Sequence, residues 1–346
     1  MAPATAMKAK KFLITGGAGF IGSQLGNALS RQGHEVVLLD NMRYGHLDNL
    51  FIEGKPFGTF VCKDVREPAT AALYRGVDTV IHLAGISALP TNQIDPAEAY
   101  GCNVGGTGTV LEHARQAGVR RVIFSSTSAV YENNQKIPMA ESDDVQPNLI
   151  YALTKQAAEN LCRGFAATYN FDVLTVRFFN VYGPHQDFKR ASPPFTSYVA
   201  RELVAGRIPT LFNKTDAARD YVHVDEIIRA LEIIIHSTKS YRGEVFNLCS
   251  GQGHSAVAIY REMQAISGRT LEPEFRSPEA FWDAYPQLFA GQHPLSRERV
   301  KKEVYKHSIG DPAKTAAEFG WRATMSLRAG LATVYQYAQT HLPAKS

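Results

Sequence analysis

The sequence predicts an α/β fold, with a doubly wound parallel sheet and a smaller, mostly helical C-terminal lobe. Short apolar segments alternate with helix-length segments through the first half of the chain, as in successive βαβ units. These short segments are apolar on both faces, as expected where helices cover both sides of a sheet. The alternation stops after Asn180, where Pro, Gly and charged residues become frequent. The fold class follows from these three observations.

The first half of the chain supplies the predicted sheet. Strands are predicted at 12–15, 36–39, 59–62, 79–83, 121–125 and 173–177. The longest helices predicted between them lie at 20–32, 96–117 and 151–169. Ligands bind at the carboxyl ends of the strands in sheets of this kind, so the loops after these strands form the candidate site.

The second half predicts a helical lobe over that edge of the sheet. Its helices are predicted at 195–205, 224–236, 256–267, 312–319 and 327–340. We therefore expect two domains, 1–180 and 181–346. Within the second, residues 221–250 are a candidate to return to the first, because 245–247 has a strand-like pattern.

A glycine-rich turn follows the first predicted strand and precedes the first predicted helix. Its spacing is Gly16-x-x-Gly19-x-x-Gly22, and the second strand ends on Asp40. Glycines allow backbone to approach a pyrophosphate closely, and the N–H groups at the helix start face the phosphates. A carboxylate ending the second strand accepts from both ribose hydroxyls and repels a 2′-phosphate. The first domain is thus predicted to be a Rossmann-type domain that binds NAD rather than NADP.

A tyrosine and a lysine four residues apart begin the helix predicted at 151–169. Tyr151 and Lys155 lie on one face of this helix. The lysine ammonium and an oxidised nicotinamide both favour the phenolate, and would bring the tyrosine pKa down from about 10. Tyr151 is therefore a candidate general base for a secondary alcohol. The alternative for this spacing alone is a solvated helix face.

Hydroxyl side chains follow the strand at 121–125. The segment SSTSAVY (residues 125–131) places Ser125 and Thr127 at the carboxyl end of a central strand, where they can hydrogen-bond a reacting oxygen. A Ser/Thr-rich turn with only local hydrogen bonds explains the segment equally well.

Composition restricts the class of protein. The chain has 346 residues, 45% hydrophobic and 20% charged, with a net charge of +4. That charge is too small and too dispersed to predict nucleic-acid binding, although it suits an anionic small substrate. The four cysteines are scattered, which predicts neither a disulfide framework nor a metal site. Residues 1–8 do not resemble a signal peptide, and no apolar run could span a membrane, so we expect a cytoplasmic protein.

Several ordered motifs together resemble a known family. They are TGGAGFIGS (15–23), DN (40–41), HLAG (82–85), NVGGT (103–107), YxxxK (151–155), RFFNVYGP (177–184) and RDYVHVD (219–225). They are similar to the extended short-chain dehydrogenase/reductase family, in its NAD-dependent nucleotide-sugar epimerase/dehydratase group. The resemblance covers about residues 10–250 and predicts NAD as cofactor and a nucleotide-diphosphate sugar as substrate.

The resemblance assigns roles to individual residues. The implied catalytic residues are Tyr151, Lys155 and Thr127. The implied cofactor-binding residues are Gly16, Gly19, Phe20, Ile21, Asp40, Asn41, Asp64, Val65, Leu83, Ala84, Asn103, Ser125, Tyr151, Lys155 and Phe178. The implied substrate-binding residues are Ser87, Thr127, Asn180, Arg219, and either Arg299 or Lys301 as the second diphosphate ligand. A homodimer is also implied, formed by the helical segments 96–117 and 151–169.

Residues next to Thr127 distinguish the reactions of this group. Dehydratases of the group carry Thr-Asp-Glu there and glucuronate decarboxylases Thr-Ser-Glu, whereas this chain has Ala129 in the third place. The leading hypothesis is therefore an NAD-dependent nucleotide-sugar 4-epimerase, which oxidises a sugar hydroxyl and returns the hydride to the opposite face. The alternatives are another oxidoreductase or dehydratase of the group, and a non-catalytic NAD-binding regulator.

The sequence departs from the family pattern on the substrate side. Leu149 and Ile150 precede Tyr151 where proline is usual, and Glu132 replaces a glycine after Val-Tyr. Residues 276–304 do not fit the pattern. If the enzyme catalysed loss of water or CO₂, Glu132 or Glu141 would have to supply the missing carboxylate. The aromatic residues between 281 and 289 predict either a packing stripe or a sugar or base pocket.

Overall fold

The computed structural model describes residues 9–52, 54–190, 193–212 and 214–342. Residues 1–8, on which the prediction of no targeting segment partly depends, lie outside the described residues. A search of these four ranges found no helix long and apolar enough to cross a membrane. It also found no group of three or more His, Cys, Asp or Glu residues able to hold a metal ion.

The central sheet has seven parallel strands. They are β1 (Lys11–Thr15), β2 (Glu35–Asp40), β5 (Thr59–Cys62), β6 (Thr79–His82), β7 (Arg121–Thr127), β8 (Asp172–Phe178) and β12 (Arg242–Leu248). The spatial order is β12-β8-β7-β6-β1-β2-β5, with every neighbouring pair parallel. All six strands predicted in the first half are confirmed. The predicted return of 245–247 is also confirmed, because Val245 and Phe246 pair with Thr175 and Val176.

Short strands make three further sheets. They are β3 (Phe51–Ile52), β4 (Lys55–Pro56), β9 (Asn180–Tyr182), β10 (Thr210–Leu211), β11 (Ala218–His223), β13 (Gly253–Ser255) and β14 (Glu274–Phe275). The strands β9, β11 and β13 form a three-stranded sheet in which β11 is central. This small sheet brings Arg219 and Asn180 close together, just beyond the carboxyl end of β8.

Three short α-helices in the described residues were not predicted (Leu89–Ile94, Pro278–Trp282 and Arg297–Tyr305), and the other α-helices agree with the predictions. All the α-helices of the described residues follow in chain order. They are α1 (Phe20–Arg31), α2 (Leu89–Ile94), α3 (Pro96–Tyr100), α4 (Gly106–Gln116), α5 (Ile150–Tyr169), α6 (Phe195–Val204), α7 (Val224–His236), α8 (Ala256–Ser267), α9 (Pro278–Trp282), α10 (Arg297–Tyr305), α11 (Ala313–Phe319) and α12 (Leu327–His341). The single helix predicted at 96–117 is instead α3, a wider π-helical stretch Gly101–Gly105, and α4. A π-helical turn inside a helix often marks a functional site.

Apolar side chains cover both faces of the central sheet. On one face α1 and α7 bury Leu25, Leu29, Ile227 and Leu231. On the other face α4 and α5 bury side chains such as Leu111 and Cys162. A separate core joins α6, α8 and α12 in the C-terminal lobe. The helices on both sheet faces leave the carboxyl edge of the strands as the place where the two lobes meet.

Candidate active site

The glycine turn after β1 packs its backbone closely against the loop that follows β6. Gly16 has φ of +71°, and its N–H donates to the Leu39 carbonyl at 2.8 Å. A Cβ at Gly16 would lie 2.9 Å from the Ala84 nitrogen, closer than real Cβ atoms approach. The N-cap of α1 is Gly19, which has no side chain to bond the first N–H groups of the helix. These N–H groups are positioned to bind a pyrophosphate.

Asp40 ends β2 at the rim of a cavity. Its carboxylate accepts from the Ala18 N–H at 3.1 Å and from the Met42 N–H at 2.8 Å. Burial raises the pKa of Asp40, and these two hydrogen bonds oppose the rise. The carboxylate is thus fixed in direction, as a ribose-binding group has to be.

Asn41 and Asp64 are joined beside Asp40. The Asn41 amide donates to Asp64 at 2.9 Å, and the Arg66 guanidinium donates to both carboxylate oxygens of Asp64, which holds its pKa far below the usual range. The buried side chain of Val65 follows. This cavity is lined by Gly16, Gly19, Leu39, Asp40, Asn41, Arg43, Tyr44, Gly45, Lys63, Asp64, Val65, Leu83, Ala84, Gly85, Ile86, Glu98 and Cys102.

A second cavity continues the first towards the C-terminal lobe. It is lined by Gly16, Gly19, Phe20, Ile21, Gly22, Leu83, Gly85, Ser87, Ser125, Ser126, Thr127, Tyr151, Lys155, Phe178, Phe179 and Val181. The two cavities share Gly16, Gly19, Leu83 and Gly85, so they form one cleft. An extended dinucleotide fits this arrangement, since the acidic end, the glycine turn and the hydroxyl-rich end follow one another.

Tyr151, Thr127 and Lys155 meet in the second cavity. Lys155 is buried, and its ammonium donates to the Ser125 carbonyl at 2.8 Å. Burial lowers the pKa of Lys155 to about 8. Burial raises the pKa of Tyr151, and a hydrogen bond with Thr127 opposes the rise. In the polypeptide alone, the pKa of Tyr151 therefore lies above its ordinary value, and the lowering expected from Lys155 together with an oxidised nicotinamide stays a prediction.

Asn103 lies behind the cleft rather than in its lining. Its side-chain oxygen accepts from the Ile86 N–H at 2.8 Å, and its amide donates to Thr154 on α5 at 3.0 Å. The residue belongs to the π-helical stretch and is almost fully buried. Asn103 thus ties the loop after β6 to the helix that carries Tyr151.

His82 is a buried core residue whose two ring nitrogens both have hydrogen-bond partners. Its ring nitrogens lie 2.7 Å from the Thr15 hydroxyl and 3.0 Å from the Thr107 hydroxyl. Burial lowers the pKa of His82 to about 3, so the ring is neutral at physiological pH.

On the substrate side, the structure brings Asn180 and Arg219 together. Asn180 lies between two residues of the cleft lining and donates to the Asp220 carbonyl at 3.0 Å. Arg219 donates through both terminal nitrogens to backbone carbonyls of Glu303 and Lys306, at the carboxyl end of α10. Arg219 thereby holds the carboxyl end of α10 against β11.

The two candidates for the second diphosphate ligand lie in different surroundings. Arg299 is mostly buried and forms an ion pair with Glu132, which is itself buried. Lys301 is largely exposed and pairs with Glu279 at 3.5 Å, away from the cleft lining. Of the two residues, only Arg299 contacts a segment that carries catalytic residues.

Sequence reasoning missed Lys306. Its ammonium pairs with Glu303 at 2.7 Å, beside Arg219 and Arg299, and burial and these two guanidinium groups lower its pKa. Three cations, Arg219, Arg299 and Lys306, therefore lie near one another along α10. No motif indicated Lys306, because its place depends on a helix in the part of the sequence that does not fit the family pattern.

The carboxylates near Thr127 point away from the second cavity. No Asp or Glu occurs among the described residues that line it. Glu132 is paired with Arg299, and Glu141 accepts from the Asn247 N–H at 2.7 Å. The aromatic side chains near 281 pack on one another and are absent from the described lining, which supports the packing alternative.

Comparisons with known proteins show the family of the chain and its similar relatives. The model of the NAD dependent epimerase/dehydratase family matches residues 12–249. A UDP-glucose 4-epimerase of Streptomyces lividans is 29% identical over 304 residues, which is 84% of this chain and 90% of the relative. The structure of a UDP-glucose 4-epimerase of Thermotoga maritima with UDP-glucose superposes with a TM-score of 0.84 at 27% identity, covering 96% of this chain and all of the other.

Another similar solved structure is named for a different sugar nucleotide. The UDP-N-acetylglucosamine 4-epimerase of Methanobrevibacter ruminantium M1, in complex with UDP-N-acetylmuramic acid, also has a TM-score of 0.84, at 22% identity. It covers 97% of this chain and 100% of the other. At that identity the likeness shows the fold alone.

Proposed function

Since this chain belongs to the NAD-dependent epimerase/dehydratase family and is an NAD-dependent enzyme of the extended short-chain dehydrogenase/reductase type, we propose that it is a nucleotide-sugar 4-epimerase. The observation that carries the proposal is the lining of the second cavity. It contains Tyr151, Lys155 and Thr127, but no carboxylate among its described residues.

The three polar side chains have distinct tasks in this proposal. Tyr151 takes the proton of the sugar hydroxyl as the carbon is oxidised, and returns it on reduction. Thr127 hydrogen-bonds the same oxygen, because its hydroxyl already lies within reach of the phenol. Lys155, held by the Ser125 carbonyl, keeps a positive charge beside the phenolate. Bound NAD supplies hydride acceptance and donation at the sugar carbon.

The lack of a carboxylate among the described residues of this lining favours epimerisation over the other reactions of the family. Loss of water requires a group that protonates the leaving hydroxyl. Dehydratases of the family carry a carboxylate at the position of Ala129, and alanine has no titratable group. Glu132 and Glu141 are occupied by Arg299 and by a backbone N–H. The hydride therefore returns to the sugar from which it came.

UDP-glucose is the first substrate we propose. Curated relatives over most of the chain are named UDP-glucose 4-epimerase. The cations along α10 support a diphosphate-bearing substrate, with Arg219 and Asn180 facing the phosphates and Lys306 next to them. Binding of a diphosphate would offset the mutual repulsion of Arg219, Arg299 and Lys306.

We also propose that the protein is a homodimer. Two long helical segments, 96–116 and α5, lie side by side on one face of the sheet. Tyr100 and Tyr169, which belong to these segments, are large side chains exposed by 41% and 49%. Sedimentation at micromolar concentration should give a dimer, and a monomer only would contradict the assignment.

A panel of sugar nucleotides tests the proposed function. Purified protein is incubated with UDP-, GDP-, CDP- and dTDP-sugars, and the products are identified by NMR, with the Tyr151→Phe variant as control. We expect inversion at C4 of UDP-glucose by the wild type and almost none by the variant. Absence of turnover with every sugar, despite bound NAD, would favour a regulator instead.

A further inference from the structure

Glu132 is a buried acid that the proposed reaction does not use. Only 7% of the residue is exposed. One carboxylate oxygen accepts from the Leu149 N–H at 3.0 Å and from the Asn148 N–H, while the other pairs with Arg299. The carboxylate therefore joins three segments that are distant in sequence: the turn after β7, the approach to α5, and α10.

These contacts lie at the start of the helix that carries Tyr151. Leu149 is the N-cap of α5 and its side chain makes no capping hydrogen bond. Glu132 bonds the N–H groups that precede the helix, and Gln93 accepts from the Ile150 N–H at 2.7 Å. A carboxylate at a helix N-terminus also interacts favourably with the helix dipole. Since Tyr151 is the second residue of α5, this end of the helix sets the position of its phenol.

The same residue is linked to Thr127. Glu132 directly follows the short 3₁₀-helix Ser128–Tyr131, whose N-cap is Thr127, with the Thr127 hydroxyl accepting from the Ala129 N–H at 3.1 Å. Hydrogen bonding to Thr127 opposes the rise in the pKa of Tyr151, so the two side chains lie close together. A displacement of Glu132 would therefore shift the segments that carry Thr127 and Tyr151.

Two departures of the sequence from the family pattern, Glu132 and the Ile150 that stands where proline is usual, lie close together in the structure. A proline at the first position of a helix has no N–H to satisfy and a φ suited to the helix. Here Ile150 holds that position, and the N–H groups around it need acceptors from elsewhere in the fold. Gln93 accepts from the Ile150 N–H, which a proline would lack. Glu132 instead bonds the N–H groups of Asn148 and Leu149, and so fixes the backbone that a proline at 150 would restrict.

On this basis, and resting on the proposed function, we propose that Glu132 is a positioning residue for Tyr151 and that its ion pair with Arg299 couples α10 to the catalytic base. Arg219 holds the carboxyl end of α10 and Arg299 holds its first turn. A substrate that contacts α10 therefore acts on the start of α5 through this pair.

Glu132→Gln in the NAD-loaded enzyme tests the role. We expect kcat to fall about tenfold, the KM for the sugar nucleotide to change less than threefold, and NAD affinity to stay constant. Ile150→Pro on the Glu132→Gln background should restore kcat to within threefold of the wild type, while Ile150→Pro alone leaves it unchanged. An unchanged kcat in Glu132→Gln, or no rescue by Ile150→Pro, would overturn the proposal.

The matched control is Glu141→Gln, which removes another carboxylate that accepts a backbone N–H, here that of Asn247 on β12. We expect kcat to stay within twofold of the wild type. An equal loss of kcat in both variants would mean general destabilisation. If Glu132→Gln does not fold, Glu132→Asp replaces it, because the shorter side chain keeps the charge but does not reach all three partners.

A readout without substrate separates this proposal from the proposed function. The ultraviolet absorbance of the Tyr151 phenolate is titrated as the difference from Tyr151→Phe. The double variant Glu132→Gln/Arg299→Met removes one negative and one positive charge together. A change in the Tyr151 pKa then reports a change in the position of the phenol rather than in the net charge around it. We expect a higher Tyr151 pKa, because the Thr127 hydrogen bond is loosened, and a return towards the wild type on adding Ile150→Pro. An unchanged titration would reject the positioning role even if no epimerisation were found.

Discussion

The two ends of the cleft differ in what forms their walls. At the cofactor end the contacts are mostly backbone: the glycine turn, the first N–H groups of α1, and one carboxylate fixed by two N–H groups. At the substrate end the contacts are side chains from distant segments, as in the pairs of Glu132 with Arg299 and of Lys306 with Glu303. A backbone site tolerates change in its surroundings, whereas a site made of such pairs depends on every partner.

The largest effect is expected where the two ends meet. Tyr151→Phe removes the titratable hydroxyl and keeps the ring, so we expect kcat to fall at least about 100-fold, the usual contribution of general acid–base catalysis. NAD binding should stay intact, because the glycine turn and Asp40 are unaffected. Steady-state kinetics and NAD titration check both parts. Near-normal turnover would show that another group removes the proton.

At the cofactor end, Asp40→Ala removes the acceptor for the ribose hydroxyls. We expect NAD to bind about 30-fold more weakly, from the loss of about 2 kcal/mol of charged hydrogen bonding, and selectivity against NADP to disappear. The sugar-nucleotide KM at saturating NAD should change little. Isothermal titration with both dinucleotides gives the answer, and a wild type that prefers NADP would contradict the assignment of Asp40.

At the substrate end, Arg219→Lys keeps the charge but loses the fork that spans two carbonyls of α10. We expect the sugar-nucleotide KM to rise about tenfold, equal to about 1.4 kcal/mol, the weight of one charged hydrogen bond. NAD affinity should be unchanged. Lys301→Ala is the matched control, since Lys301 is an exposed cation on the same helix and should alter KM less than twofold. A larger effect of Lys301→Ala would show that the diphosphate lies elsewhere.

The smallest effect concerns stability. Burial holds the pKa of Lys155 at about 8, so the charged lysine opposes folding at neutral pH. This cost is fully present below pH 8 and is relieved as pH rises towards 10.5, the ordinary lysine pKa, because only the unfolded chain still binds the proton. We expect the Lys155→Met variant to be more stable than the wild type at pH 7, and to lose most of that advantage by pH 10. Urea unfolding at pH 7 and at pH 10 measures the difference in the free energy of unfolding between the variant and the wild type. A difference that does not change with pH would show that Lys155 lies in a more polar environment.

The same contrast explains how far the sequence could be interpreted. The sheet, the helices of both lobes and most cofactor-side residues could be predicted, because glycine spacing, apolar runs and strand-end polar residues are local signals. The π-helical stretch was missed, because its hydrogen bonds depend on the packing of Asn103 against the loop after β6 and against α5. The upward effect of burial on the pKa of Tyr151 was not predicted, since burial is a property of the assembled cleft.

Residues on the substrate side could be predicted only in part. Asn180 and Arg219 belong to recognisable motifs, and the structure brings them together through β9 and β11. Arg299, Lys301 and Lys306 lie in a segment without a motif, and their surroundings depend on partners between 3 and 167 positions away, such as Glu303 and Glu132. No periodicity in the sequence carries information about such pairs.

The fate of the hydrogen at C4 tests most directly the central claim, which is that the protein is a 4-epimerase that returns the hydride to the same sugar carbon. The wild-type enzyme is incubated with UDP-glucose that carries deuterium at C4, or with whichever sugar nucleotide turns over in the panel, and the product is examined by NMR and mass spectrometry. We predict a product of unchanged mass, inverted at C4, with the deuterium retained at that carbon. A product lighter by water or CO₂, or one that has lost its deuterium to solvent, would contradict the account.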